Sequence, residues 1–177
     1  MLAAGCGLIL TSPIYLAIVL AILIDDGGPA IFTQERVGRE EQPFRIYKFR
    51  SMPLRNANVP SAHAHELPIT RVGRFLRRSN LDEIPQLVNV LMGTMSLVGP
   101  RPALPTQSGL IELRRINGAT AVLPGLTGLA QVNGYDGMTD GVKAGFDGQY
   151  AEDVRLREDF MILLRTVRYA MSPPPRY

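Results

Sequence analysis

The sequence predicts a mixed α/β, loop-rich fold in which an N-terminal membrane helix, residues 1–24, precedes one small domain, residues 25–177. Three observations carry that prediction. Residues 1–24 are apolar and uncharged until Asp25 and Asp26, which is enough length to enter or cross a bilayer. Beyond them, a short stretch of period-two alternation at 44–50 is followed by stretches of helical period at 81–91 and 152–170, the signatures of a strand and of helices. Residues 53–68 hold three prolines among small polar residues without periodicity, which predicts a long loop.

A chain of 177 residues fits one domain and is long enough to bury a core without disulfides or a structural metal. Cys6 is the only cysteine and has no partner within the chain, as in a reducing compartment. The formal charge is only +3, yet of 19 basic residues just Lys48 and Lys143 are lysines and all others are arginine. Arginine presents a planar fork that grips phosphate oxygens bidentately, so this balance suits phosphorylated ligands or anionic headgroups. Codon usage in a GC-rich genome gives the same total, so the clusters of arginine carry more weight than the count.

Each element follows in order. The apolar run has neither the basic n-region nor the small-residue cleavage site of a secretory signal. Ser12-Pro13 interrupts it near its midpoint, where proline removes one helical hydrogen bond and crowds the preceding turn, so a kink is expected. A neighbouring serine hydroxyl is one group able to satisfy the freed carbonyl in hydrocarbon. Two readings stand equal on these residues: a bent helix that spans, or one that dips into a single leaflet and returns.

Asp25-Asp26-Gly27-Gly28-Pro29 is a turn-rich exit. Phe44 to Arg50 alternates bulky and basic residues, including Lys48 and Arg50, and predicts a strand with a basic face. His63 and His65 lie in the 53–68 loop and lack the surrounding ligands of a metal site. Arg71 to Arg78 holds four arginines, with 71, 74 and 78 on one helical face. That ridge suits headgroups, a diphosphate or plain solvent.

Leu81, Ile84, Leu87, Val88 and Leu91 follow with helical spacing, and Asn80 with Glu83 reads as a capping box placing Asp82 and Glu83 in a first helical turn. Two acids there complement the helix dipole, which is a structural role. The same placement keeps a carboxylate ionised next to a source of phosphate-binding arginine. Met95 to Gly99 predicts a strand leading into Pro100-Arg101-Pro102, a stiff loop around one arginine. Leu123 to Gly134 is glycine-rich without a Walker lysine, so its backbone turns tightly or approaches something closely. In 152–170, Leu156, Phe160, Leu163, Leu164 and Val167 share a helical face, with core packing as the default and interfacial contact second.

In this combination and order the residues resemble the bacterial sugar transferases, also called monotopic phosphoglycosyl transferases. The likeness runs nearly end to end: Ser12-Pro13, Gly28-Pro29 with Phe32, Gln34 and Arg36-Val37-Gly38, Lys48-Phe49-Arg50-Ser51-Met52, Arg71 to Arg78, Leu81-Asp82-Glu83-Ile84-Pro85-Gln86-Leu87, Met95 to Pro102, and Pro124-Gly125-Leu126-Thr127-Gly128. The resemblance implies a re-entrant helix hairpin broken at Ser12-Pro13, and a cytoplasmic catalytic domain with amphipathic interfacial helices. It implies attack by Asp82 on the sugar-bearing phosphate of a UDP-sugar, UMP release, and transfer of the phosphosugar to polyprenyl (undecaprenyl) phosphate. Glu83 assists as base or in organising Mg2+, for which Asp82 is the ligand. Lys48, Arg50, Arg77 and Arg101 are implied phosphate contacts, with Gln131 and Asp159 as further substrate contacts.

It also implies the cytoplasmic face of a bacterial inner membrane, lipid as a partner, a homodimer as an admissible assembly, and the first membrane step of polysaccharide or glycoconjugate synthesis. Three departures stand out. The chain opens at Met1-Leu2-Ala3 without the family's basic pair and aspartate, implying a truncated start or a less firmly oriented anchor; Ala103 and Tyr135 replace a polar residue and an arginine where donor selectivity varies. The rivals are an inactive relative serving as a membrane scaffold, against which Asp82 and Glu83 argue, and a basic module binding nucleic acid. The apolar segment and the lack of a recognition motif argue against nucleic acid as a partner.

Overall fold

The computed structural model describes residues 2–53, 68–134 and 138–170. The expectations for His63, His65 and Tyr135, and all but the ends of the 53–68 loop, lie outside the described residues. The elements are α1 (Leu2–Asp26), β1 (Ile31–Val37), β2 (Pro43–Phe49), α2 (Arg71–Ser79), α3 (Gln86–Leu91), β3 (Ser96–Val98), α4 (Ser108–Ile116), β4 (Gly125–Thr127), α5 (Leu129–Asn133), α6 (Asp140–Glu152) and α7 (Leu156–Ala170). Mixed helix and strand, with short elements and much connection, is the predicted class. The chain divides into two compact units, one of residues 2–33 and 47–88, the other of 34–46 and 89 onward. β1 and β2 pair as a two-stranded sheet, and each strand runs from one unit into the other.

The first unit is built on α1. Its helix runs from Leu2 to Asp26 with Pro13 inside. Pro13 has no N–H to offer the carbonyl four residues back, that of Ile9. The Ser12 hydroxyl donates to that same carbonyl at 2.8 Å, and Thr11 Oγ1 donates to Gly7 O at 2.7 Å. Ile18 and Ile22 of α1 pack with Phe49 and Leu76, and the Tyr15 ring meets Phe49 at 4.6 Å between centroids. The rest of α1 is bare: only 11% of its apolar window is buried, whereas the core helix of a water-soluble domain is mostly covered. By length and composition it is able to cross a membrane.

The exit turns on Gly27 and Gly28, both with positive φ, a conformation nearly free of cost only for glycine. Asp25 Oδ2 accepts from the Val72 amide at the start of α2, and Asp26 Oδ2 takes Arg50 Nη1 at 2.7 Å. The acidic pair that closes the apolar run therefore fastens it to β2 and α2.

In the second unit β3 and β4 pair in parallel, Ser96 opposite Gly125 and Val98 opposite Thr127. Val98, Tyr150 and Ile162 form one core cluster; Ala103, Leu110 and Ala144 form another. Here the structure corrects the reading of the last helix. Along α7, Leu156, Phe160, Leu164 and Val167 are 88, 60, 49 and 60% exposed, while Ile162 is 2% exposed. The face turned to the core is that of Ile162, Leu163 and Asp159. Hydrophobic periodicity marks an apolar stripe without saying what covers it, and α7 is narrow enough for its other side to be the packed one.

A second correction concerns Asn80. It is no N-cap side chain: it closes α2 in the left-handed region (φ 54°), and its side chain caps nothing. Leu81–Glu83 is a separate 3₁₀ turn ahead of Pro85 and α3, because Pro85 has no N–H for the Leu81 carbonyl four residues back, which takes the Ile84 amide instead at 3.2 Å.

Candidate active site

The first unit holds the paired acids. β2 runs as predicted, and Arg45 on it is exposed, but Lys48 is not. Lys48 Nζ reaches Glu83 Oε1 at 2.7 Å, with the two side chains only 17 and 15% exposed. The pair ties β2 to the 3₁₀ turn, so the backbone beside Asp82 is held from two directions: α2 behind it and Lys48 across from it. Asp82 itself is partly buried.

α2 is seated by close approach. A Cβ on Gly73 would stand 2.1 Å from Ser51 O, so only glycine lets the helix lie against that backbone. Thr70 caps the helix by accepting from the Gly73 amide at 2.8 Å. One turn later Arg77 Nε donates to Ser51 Oγ at 2.9 Å, which leaves the far end of its guanidinium exposed beyond the hydrogen bond. Arg71, Arg74 and Arg78 are exposed, as the ridge predicted. Arg50 is 6% exposed and turns its fork to Asp26 and the Gly27 carbonyl. Its place is at the end of α1.

The second unit holds Arg101, Gln131 and Asp159. Arg101 is exposed on the Pro100-Pro102 loop, and that loop is positioned by glycine as well as by its prolines. Built Cβ atoms on Gly125 and Gly128 would stand 2.1 Å from Gly99 N and Gly99 O. The glycine-rich segment is the close approach that seats Gly99, two residues before Arg101. Gln131 Nε2 donates to Leu126 O at 3.2 Å, while its Oε1 is buried without a partner.

Asp159 is held by a residue of α6. Its Oδ1 accepts from the Tyr150 phenol at 2.8 Å, and the same hydroxyl lies 3.2 Å from Val98 O. Burial, then the Asp159 carboxylate, pushes the Tyr150 phenol well above its usual range.

Sequence reading passed over a further group. Arg114 donates through Nε and Nη2 to Asp147 Oδ2 at 2.8 and 2.6 Å, with the two residues 6 and 1% exposed. Burial raises the Asp147 carboxyl; Arg114 and then Lys143 pull it back down. The Lys143–Asp147 spacing of four on a helix was the available signal; the Arg114 partner, 33 residues away, left none.

The donor set suits magnesium. Asp82 and Glu83 put carboxylate oxygens, the donor type Mg2+ takes, on one turn; Glu83 is already paired with Lys48, and the described residues hold no cluster of three metal-ligating groups. Mg2+ is commonly held by one or two carboxylates with substrate phosphates completing the shell. The unit that holds the paired carboxylates and the arginines of α2 also holds the helix long and apolar enough to cross a membrane.

Sequence comparison makes this specific: the chain matches the bacterial sugar transferase family over residues 1–173 and belongs to it. It is 39% identical over 171 residues to the UDP-glucose:undecaprenyl-phosphate glucose-1-phosphate transferase of Escherichia coli K12, covering 90% of this chain and 36% of that one. A protein of the same description from Caulobacter vibrioides is 41% identical over 177 residues, covering 95% of this chain and 66% of the relative. The exopolysaccharide production protein ExoY of Rhizobium meliloti is 33% identical over 183 residues, covering 94 and 80%. The chain thus spans about a third of the length of the Escherichia coli relative.

Proposed function

We propose that this chain transfers a sugar 1-phosphate from a UDP-sugar to polyprenyl phosphate, with Asp82 as nucleophile. The observation that carries the reading is the placement of Asp82 on a turn braced by the Lys48–Glu83 ion pair and entered from an arginine-bearing helix. An Asp82 carboxylate oxygen attacks the sugar-bearing phosphorus, the bond to the UMP oxygen breaks, and UMP leaves. A polyprenyl phosphate oxygen then attacks the same phosphorus and restores the carboxylate. In both steps an anion approaches an anion, so cations must offset the repulsion. Lys48 beside Glu83, and Arg77 through the part of its guanidinium beyond Ser51, supply that charge around Asp82; Arg101 is a phosphate contact on the family resemblance alone. Mg2+ held by Asp82 would neutralise charge on the phosphate oxygens. Gln131 and Asp159 serve the donor side, Gln131 by direct contact and Asp159 by fixing Tyr150.

Membrane placement belongs to the same proposal. α1 enters the cytoplasmic leaflet and bends back at Ser12-Pro13, the Ser12 hydroxyl having already satisfied the Ile9 carbonyl that a bend leaves free. The stripe of Leu156, Phe160, Leu164 and Val167 on α7 lies in the interface, with the exposed Arg157 beside it for headgroups. UDP-sugars are cytosolic metabolites, which puts the reaction on the cytoplasmic face of an inner membrane.

The test is UMP release from a panel of UDP-sugars with magnesium and undecaprenyl phosphate, comparing wild type with Asp82→Asn. Wild type is expected to release UMP and to retain labelled phosphosugar when acceptor is omitted; Asp82→Asn is expected to lose at least about three orders of magnitude of rate. No UMP from any donor, in membrane-inserted folded protein, overturns the reading and leaves the scaffold role.

A further inference from the structure

Arg77 of α2 serves the site; the other three arginines of that helix do not. Arg71, Arg74 and Arg78 lie at spacings of three and four, on one side of the helix together with Phe75. All four side chains are exposed, that of Phe75 by 63%, while Gly73 and Leu76, the buried residues of α2, turn the opposite way. α2 holds no carboxylate, and among the described residues none of the three arginines has a side-chain ion pair or hydrogen bond.

What lies against that side follows from where α1 ends. Within the same unit the Asp25 carboxylate, at the end of the apolar run, accepts from the Val72 amide at 3.0 Å, and Leu76 packs with Ile18 and Ile22 of α1. At about 1.5 Å per residue, Ile18 and Ile22 lie about 12 and 6 Å back from Asp26 along the helix. The headgroup layer on each side of a bilayer is about 5–8 Å deep. Whether α1 spans or turns back at Ser12-Pro13, its last two turns cross that layer, and α2 runs beside them at the same depth. Plain solvent at this depth would leave both the arginines and the Phe75 ring unanswered. A diphosphate would answer the arginines and leave the ring in water. Anionic headgroups answer both, with phosphates for the guanidinium forks and the acyl boundary for the ring. A zwitterionic headgroup brings an ammonium with its phosphate, so it attracts basic residues less. We propose that the outer side of α2 is a docking surface for anionic phospholipid, with Arg71, Arg74 and Arg78 on the phosphates and Phe75 at the acyl boundary. The proposal rests on α1 entering lipid and not on the transferase reading.

The chain has no tryptophan, so Phe75→Trp installs a single indole at this surface. The full chain carrying it is reconstituted in vesicles of equal parts phosphatidylglycerol and phosphatidylcholine, with one lipid or the other brominated on its acyl chains. Both brominated lipids are expected to quench the indole, phosphatidylglycerol by about threefold more or better at low salt. That excess is expected to vanish when Arg71→Gln, Arg74→Gln and Arg78→Gln are added, with the melting temperature unchanged. Arg74→Gln alone is expected to remove part of it, and serves if the triple variant does not fold. An indole quenched by neither lipid puts α2 in water, equal quenching by both removes any role for headgroup charge, and an excess that survives in the folded arginine variants removes the arginines. Each of these overturns the proposal. So does an excess abolished by UDP-glucose with magnesium, which would assign the arginines to a diphosphate instead. No readout depends on turnover, so UMP release assayed on the same vesicles tells failure of this docking from failure of the transferase reading.

Discussion

Asp159 shows how one residue divides motif from mechanism. Its carboxylate is engaged by the Tyr150 phenol, which also reaches Val98 O on β3, so whatever it does for a substrate is done through the position of that strand. Tyr150→Phe keeps the ring and removes the bond, leaving the Val98 carbonyl and the Asp159 carboxylate short of a donor. The expected loss is about 1–3 kcal/mol of stability, read as a lower melting temperature at neutral pH. The pH dependence has a definite sign. Burial and Asp159 hold the folded phenol above the ordinary value of 10.0, so its stabilisation is fully present below that value and is lost as pH rises through the higher folded one. Wild type is therefore expected to lose stability progressively above about pH 10 relative to Tyr150→Phe, and equal slopes for the two proteins would sink this account. At this scale the sequence was legible where a residue type constrains its own backbone or neighbours, as at Ser12 and Pro13. It was illegible where the partner is remote, as for Tyr150 with Asp159 and Arg114 with Asp147.

At the scale of elements, the Pro100-Arg101-Pro102 loop is positioned less by its prolines than by glycines some 25 residues downstream. Gly125 and Gly128 have extended backbones, so no strain excludes a side chain there; the Gly99 backbone does, at 2.1 Å from either built Cβ. Gly128→Ala is expected to cost about 1–3 kcal/mol or more through overpacking and to displace Gly99, raising KM for the donor more than it lowers kcat. A melting curve and steady-state UMP release check both halves; a KM equal to wild type would show that the loop is seated otherwise. The glycine run was legible as a close approach, though not what it approaches, because the partner is backbone. The α7 stripe and the Asn80 turn were misread for a related reason. Period and motif report local geometry, whereas the covering of Ile162 in preference to Leu164, and the closing of α2 by Asn80, are decided by packing between elements.

For the molecule as a whole, the apolar helix is the feature most legible in sequence and the one whose consequence most needs a measurement. α1 is long enough to span, mostly bare, and fastened at its C-terminal end by Asp25 to α2 and by Asp26 to Arg50. Proline at 13 removes one helical bond, and Ser12 takes up the carbonyl so released; replacing both residues restores an ordinary helix with every carbonyl bonded along its axis. A helix of that length and composition has its energy minimum across the bilayer. The re-entrant reading therefore predicts that the N-terminus changes sides. With Cys6→Ser removing the native thiol and Leu2→Cys supplying a probe, a membrane-impermeant maleimide on intact spheroplasts is expected to label the otherwise wild-type chain only after permeabilisation. Adding Ser12→Ala and Pro13→Ala is expected to make the same thiol reactive from outside. Labelling of the Ser12-Pro13 chain in intact spheroplasts would mean that α1 spans and that the break serves only to bend it. Because the clamp at Asp25 and Asp26 lies beyond the substituted turn, the double replacement should leave UMP release within a few-fold of wild type. A larger loss of turnover would mean instead that the bend sets the depth at which Asp82 meets its lipid acceptor.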